Sequence, residues 1–104
     1  MRLVDLLSIG IKMISIVKAE YLQGYRILLD FSDGKSGVVD LQNNVYTFKP
    51  FFVLQDTGVF SKFTVDYTIR WSDELVIAPE YLYFKAFEDD KELDGIFREW
   101  GYTS

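Results

Sequence analysis

Hydrophobic and polar positions alternate most plainly in two stretches of the chain. In the first, Tyr25, Ile27, Leu29 and Phe31 alternate with Arg26, Leu28 and Asp30, the period of two that turns one face of a strand toward a core. Asp33-Gly34 then closes a hairpin, and a return strand runs from Ser36 to Leu41, because glycine takes up positive φ without a steric cost. Upstream, Ile14, Ile16, Val17 and Ala19 predict an opening strand, with Leu22-Gln23-Gly24 as the turn after it. In the second stretch Phe63, Val65, Tyr67, Ile69 and Trp71 alternate with Thr64, Asp66, Thr68 and Arg70. That pattern fits one strand or a hairpin folded near Asp66-Tyr67, and periodicity does not separate the two. Ser72-Asp73-Glu74 reads as a turn and Leu75 to Ile77 as a short strand.

Helical signals lie between and after these strands. Asn43-Asn44 reads as a turn, and Pro50 suits the first position of a short helix with Phe51 and Leu54 on its buried side. Thr57 is a candidate N-cap for a brief turn carrying Val59, Phe60 and Phe63. Ala78-Pro79-Glu80 opens a helix that extends to Phe87. In the last segment Asp89 and Glu92 have the spacing of a capping box, Leu93, Ile96, Phe97 and Trp100 form one stripe, and Gly101 ends the helix. The pattern predicts an α+β fold: a small antiparallel sheet built from hairpins, short helices, and a C-terminal amphipathic helix. Residues 1–13 form a leader expected to be poorly ordered, 14–87 the α+β domain, and 88–104 the helix docked on it.

Composition narrows the chemistry. A chain of 104 residues, 49% of them hydrophobic, supports one core without metal or disulfide staples. Cysteine and histidine are both absent, which removes disulfides, thiolate nucleophiles, imidazole bases and the commonest transition-metal ligands. No catalytic residue, cofactor site or metal site is therefore assigned, and the chain is expected not to be an enzyme. The net charge of −5 repels a phosphate backbone unless the cations cluster, so no nucleic acid is expected as a partner. Asp5 interrupts the apolar start, no small-residue cleavage site follows, and no run nears the ~20 apolar residues of a membrane span. The expected setting is the cytoplasm.

Four landmarks occur in order: the opening strand Ile14 to Ala19; Phe31-Ser32-Asp33-Gly34 leading to Val39-Asp40-Leu41; the aromatic segment Leu54 to Phe60; and Trp71 followed by Ala78-Pro79-Glu80-Tyr81-Leu82-Tyr83. In these the stretch Ile14 to Phe84 resembles a bacterial family known as domain of unknown function 2442. It departs from the family pattern in a short connection from Val65 to Trp71 and in the turn Ser72-Asp73-Glu74. The resemblance implies a small α+β fold without an established activity, found alone or fused to a helix-turn-helix, and often encoded beside a second small protein. Some such pairs look like toxin and antitoxin. No helix-turn-helix is recognised in this sequence, so the DNA-binding arrangement is not carried over.

Eighteen aromatic residues, 17% of the chain, are more than a domain of this size hides easily. Trp71, Tyr81, Tyr83 and Trp100 are the candidate partner-binding residues, since large rings with a polar edge give contact area at low entropic cost. Core packing is the competing explanation, favoured for Trp71 at the end of its alternating run. Asp30, Asp33 and Asp40 could form a carboxylate pair or a hard-cation site, but a hairpin turn and the solvent side of strands account for them better. Glu88-Asp89-Asp90 lacks the spacing of a calcium loop and is read as a cap. The functional expectation is a protein-interaction module that binds a small protein partner, in the manner of the acidic, antitoxin-like member of a two-gene pair. The alternatives are a small carboxylate-based metal- or ligand-binding enzyme and a structural homodimer joined through an exposed sheet edge.

Overall fold

The computed structural model describes residues 14–102. The leader expected at 1–13 lies outside the described residues. Three strands form an antiparallel meander: β1 (Ile16–Gln23), β2 (Arg26–Phe31) and β3 (Ser36–Asp40), in that order across the sheet. β1 and β2 are joined by Gly24-Tyr25, where Gly24 supplies φ of 59°, the positive angle a two-residue hairpin loop requires at its first position. The β2–β3 turn uses Gly34 at φ 91°, and Asp33 steadies it by accepting the Lys35 backbone N–H at 3.0 Å. Register places Ala19 and Tyr21 of β1, Ile27, Leu29 and Phe31 of β2, and Gly37 and Val39 of β3 on the inner face. Ile27, Leu29 and Val39 have no exposed surface.

A second, two-stranded ribbon settles the long alternation as a hairpin: β4 (Thr64–Val65) pairs with β5 (Ile69–Arg70). The turn forms where Asp66 stands because its Oδ1 accepts the N–H groups of Tyr67 and Thr68 at 2.6 and 3.1 Å, a local bond that competes with strand continuation. Of the strand expected at Leu75 to Ile77, a single bridge from Val76 to Arg70 is present.

Helices close the inner face. α1 (Gln42–Thr47) replaces the turn expected at Asn43-Asn44; the Asp40 carboxylate accepts the Gln42 N–H at 3.0 Å, and burial of Val45 beside Leu41 outweighs the turn preference of two asparagines. A 3₁₀ helix follows at Lys49–Gln55 with Phe51 and Leu54 inside, then α2 (Thr57–Phe60). Its cap is Asp56, not Thr57, with Oδ1 2.8 Å from the Gly58 nitrogen. α3 (Pro79–Phe87) crosses β3 at Gly37, where a side chain would meet the Phe87 ring at 3.0 Å and the Ala86 methyl at 3.1 Å. The C-terminal helix is split into a 3₁₀ turn (Lys91–Leu93) and α4 (Asp94–Trp100). Asp90 rather than Asp89 caps it, accepting from Glu92 at 3.0 Å. Gly101, at φ 89°, ends α4 while the Gly101 and Tyr102 N–H groups bond to Arg98 and Phe97. Leu93 and Phe97 lie in the common core, with Ile96 and Trp100 packed against it.

Candidate functional site

The structure divides the four sequence candidates between two interior clusters. Trp71 donates its indole N–H to the Phe60 carbonyl at 2.7 Å and packs on Phe51, Phe60 and Phe63. Tyr81, Tyr83 and Trp100 share a second cluster with Phe84, Phe97 and Tyr102 between α3 and α4. Tyr83 is 2% exposed and bridges to the sheet, its ring edge-on to Phe31 and its hydroxyl donating to Asp33 Oδ2 at 2.7 Å. Burial, then the Asp33 carboxylate, push this phenol above its ordinary range. Tyr81 accepts the Asn44 amide at 2.9 Å and, like Trp71 and Trp100, is partly buried.

A different set of rings faces outward. Tyr46 is 51%, Phe48 54%, Phe52 43% and Val53 55% exposed, all within one eight-residue span of α1 and the 3₁₀ helix. For Phe52 and Val53 the 3₁₀ geometry produces this. Side chains at i and i+3 eclipse, so turning Phe51 and Leu54 inward leaves Phe52 and Val53 on the outer side. With rings of ~150–250 Å² each about half uncovered, these side chains present on the order of 300 Å² of apolar surface, at the lower end of the largest patch that a typical monomer exposes. Two of the rings are held in place. Phe48 stands edge-on to buried Phe51 at 5.2 Å, and Tyr46 is edge-on to Tyr25 with their hydroxyls 3.1 Å apart. Tyr25 also donates to the Gln55 carbonyl; the bond with Tyr46, then burial, push its phenol up to about 12. A depression of about 400 Å³ lined by Asp40, Gln42, Asn43 and Tyr46 adjoins the face. Sequence reasoning passed over this site. The available signal was the density of apolar residues from Tyr46 to Val53, more than a single buried stripe absorbs.

The three hairpin carboxylates are not brought together as a reactive pair. Asp30 accepts Ser36 Oγ at 2.6 Å, Asp33 serves its turn and Tyr83, and Asp40 serves α1. Among the described residues no group of three acidic side chains has the arrangement to hold a metal ion, and no helix is long and apolar enough to cross a membrane.

With antiparallel meander and crossing helix in place, the class is that of a small α+β domain. The chain belongs to the family described as Protein of unknown function (DUF2442), whose model matches residues 16–88. The family named from the sequence landmarks is thus the right one. No curated protein matches the chain. Among solved structures it is similar to a candidate DNA-binding protein, NE0471 of Nitrosomonas europaea, at 19% identity and a TM-score of 0.66, over 88% of this chain and 63% of that one. The chain therefore spans less than two thirds of that protein. This likeness corrects the expectation of no nucleic-acid partner, which rested on the net charge: a sum over the chain does not describe where eleven cations sit or what potential each face carries.

Proposed function

We propose that this chain is a non-catalytic protein-interaction module of the cytoplasm that docks a second protein on the face made by Tyr46, Phe48, Phe52 and Val53. The observation that carries this reading is the exposure of three large rings within one short span, two of them held edge-on by a neighbouring ring. Fixed aromatic surface loses little entropy on binding, and anchors of this kind carry ~2 kcal/mol or more each at the centre of an interface. The finer expectation, the acidic member of a bacterial two-gene pair, draws on the family resemblance and the net charge of −5. The test is co-purification of the tagged chain with the proteins encoded beside it, wild type against Phe48→Ser with Phe52→Ser. A partner retained by wild type and lost by the variant at an unchanged melting temperature supports the reading, and equal retention by both refutes it.

A second reading, DNA contact, is favoured by the fold shared with NE0471. Its test is fluorescence anisotropy of a labelled duplex from 50 to 200 mM salt, a range over which phosphate contacts lose affinity steeply. Binding without that salt dependence, or none at 50 mM, removes it.

A further inference from the structure

The two edges of the main sheet are finished differently. β1 carries register breaks between Ile16 and Lys18 and between Tyr21 and Gln23, places Lys18 on its outer face, and donates the Ile16 N–H to the Tyr67 carbonyl at 2.8 Å. Bulges, lysine and coverage are the usual protections of an edge strand. β3, Ser-Gly-Val-Val-Asp, has no break in its register with β2, no proline and no lysine. Its outward backbone can be identified. The bonds from Phe31 N–H to the Lys35 carbonyl and from Leu41 N–H to the Tyr25 carbonyl bracket the β2–β3 ladder. Alternation then gives Gly37 and Val39 to β2 and turns the N–H and C=O groups of Ser36, Val38 and Asp40 away from it. Among the described residues no other strand pairs with β3.

That edge borders a depression of about 380 Å³ between Val38 and the end of α3, floored by Ala86 and Phe87. Asp40, Glu88, Asp89 and Asp90 line it against the single cation Lys85. Asp40 also lines the depressions beside Tyr46 and beside Arg26, so the concave surface continues past the end of the strand.

We propose that β3 takes up an extended, basic segment of a partner protein as a fourth, antiparallel strand, which deepens the protein-interaction reading above and rests on it. The free groups of Ser36, Val38 and Asp40 supply main-chain hydrogen bonds. The Ala86–Phe87 floor receives one set of alternate side chains, and the four carboxylates select lysine or arginine for flanking positions.

The probe is a short synthetic peptide alternating valine with lysine, titrated into the full ¹⁵N-labelled chain and compared with its valine–glutamate counterpart. The expected result is shift changes and slowed hydrogen exchange at the amides of Ser36, Val38 and Asp40 with the lysine peptide alone. Two variants keep the test sharp. Val38→Pro removes an outward N–H without touching the β2 ladder and should abolish binding. Glu88→Lys with Asp89→Lys reverses exposed charge away from the core and should weaken binding by about tenfold. The peptide reads β3 alone while the co-purification test reads whole partners at the aromatic face, so failure here is distinguishable from failure of that reading. Equal binding of both peptides, or shifts elsewhere than β3 and α3, overturns the proposal. So does a concentration-dependent dimer abolished by Val38→Pro, which would give the edge to a second copy of the chain.

Discussion

Two groups of aromatic residues in this domain differ in what holds them. Between α3 and α4, Tyr81, Tyr83, Phe84, Phe97, Trp100 and Tyr102 make a continuous network of rings that ties the C-terminal segment to the sheet. Between α1 and the end of the 3₁₀ helix, Tyr46 and Phe48 each stand edge-on to one ring, Tyr25 and Phe51, and with Phe52 leave about half of their surface uncovered. Residue type does not distinguish them; what each ring packs against does. The first population should therefore govern stability and the second binding.

The largest effect should come from Phe97→Ala. Its ring is fully buried against Tyr83, Phe84 and Trp100, and emptying such a site costs ~3–5 kcal/mol. Chemical denaturation of the full chain measures it; a loss under ~1 kcal/mol would mean that α4 contributes little to the core. Next is Gly37→Ala, where α3 crosses β3. The added methyl falls 3.0 Å from the Phe87 ring and 3.1 Å from the Ala86 methyl, so the helix must move by a few tenths of an ångström, at ~1–3 kcal/mol. An unchanged midpoint would show that α3 is free to shift.

Tyr83→Phe separates packing from the polar handle, since the ring stays and only the bond to Asp33 is lost. The expected cost near neutral pH is about 1 kcal/mol. Above pH ~10 an unfolded tyrosine releases its proton, while folded Tyr83, its pKa raised by burial and Asp33, keeps it. The unfolded state then binds fewer protons than the native state, so the contribution present below that pH is lost as pH rises toward the folded value. Wild type should lose stability in the alkaline range more steeply than Tyr83→Phe. Parallel curves from pH 9 to 11.5 would contradict the buried phenol.

Much of this architecture was written into local pattern. Strict alternation from Tyr25 to Phe31 located β2, and Asp33-Gly34 located its turn, because side-chain period and positive φ are properties of a few adjacent residues. The stripe of Leu93, Ile96, Phe97 and Trp100 located the last helix for the same reason. What was not legible depended on partners distant in sequence. Asp89 and Asp90 are equivalent as caps until the exit of α3 fixes which one precedes the first turn. Tyr83 and Phe52 are both aromatic residues in short helices, and only the sheet above one and the solvent beside the other distinguish them. The net charge was a poor guide because it is a sum over the chain and does not report what potential each face carries.

The smallest stability effect, and the sharpest test of the contrast, is expected at the outer rings. Phe48 and Phe52 leave little of the core dependent on them, so Phe48→Ser and Phe52→Ser should each change stability by no more than about 0.5 kcal/mol, the usual range for surface substitutions away from caps and cores. Removing exposed apolar surface should also reduce any self-association at high concentration, which light scattering reads directly. If either change instead costs more than ~2 kcal/mol, the value of one buried large side chain, the ring concerned supports the fold through its contact with the interior. For Phe48 that contact is Phe51, 5.2 Å away, so the pair Phe48→Ser and Phe51→Ala, measured singly and together, would locate the loss. Additive costs would leave Phe48 a surface residue, while a coupling above about 0.5 kcal/mol would place it in the core population.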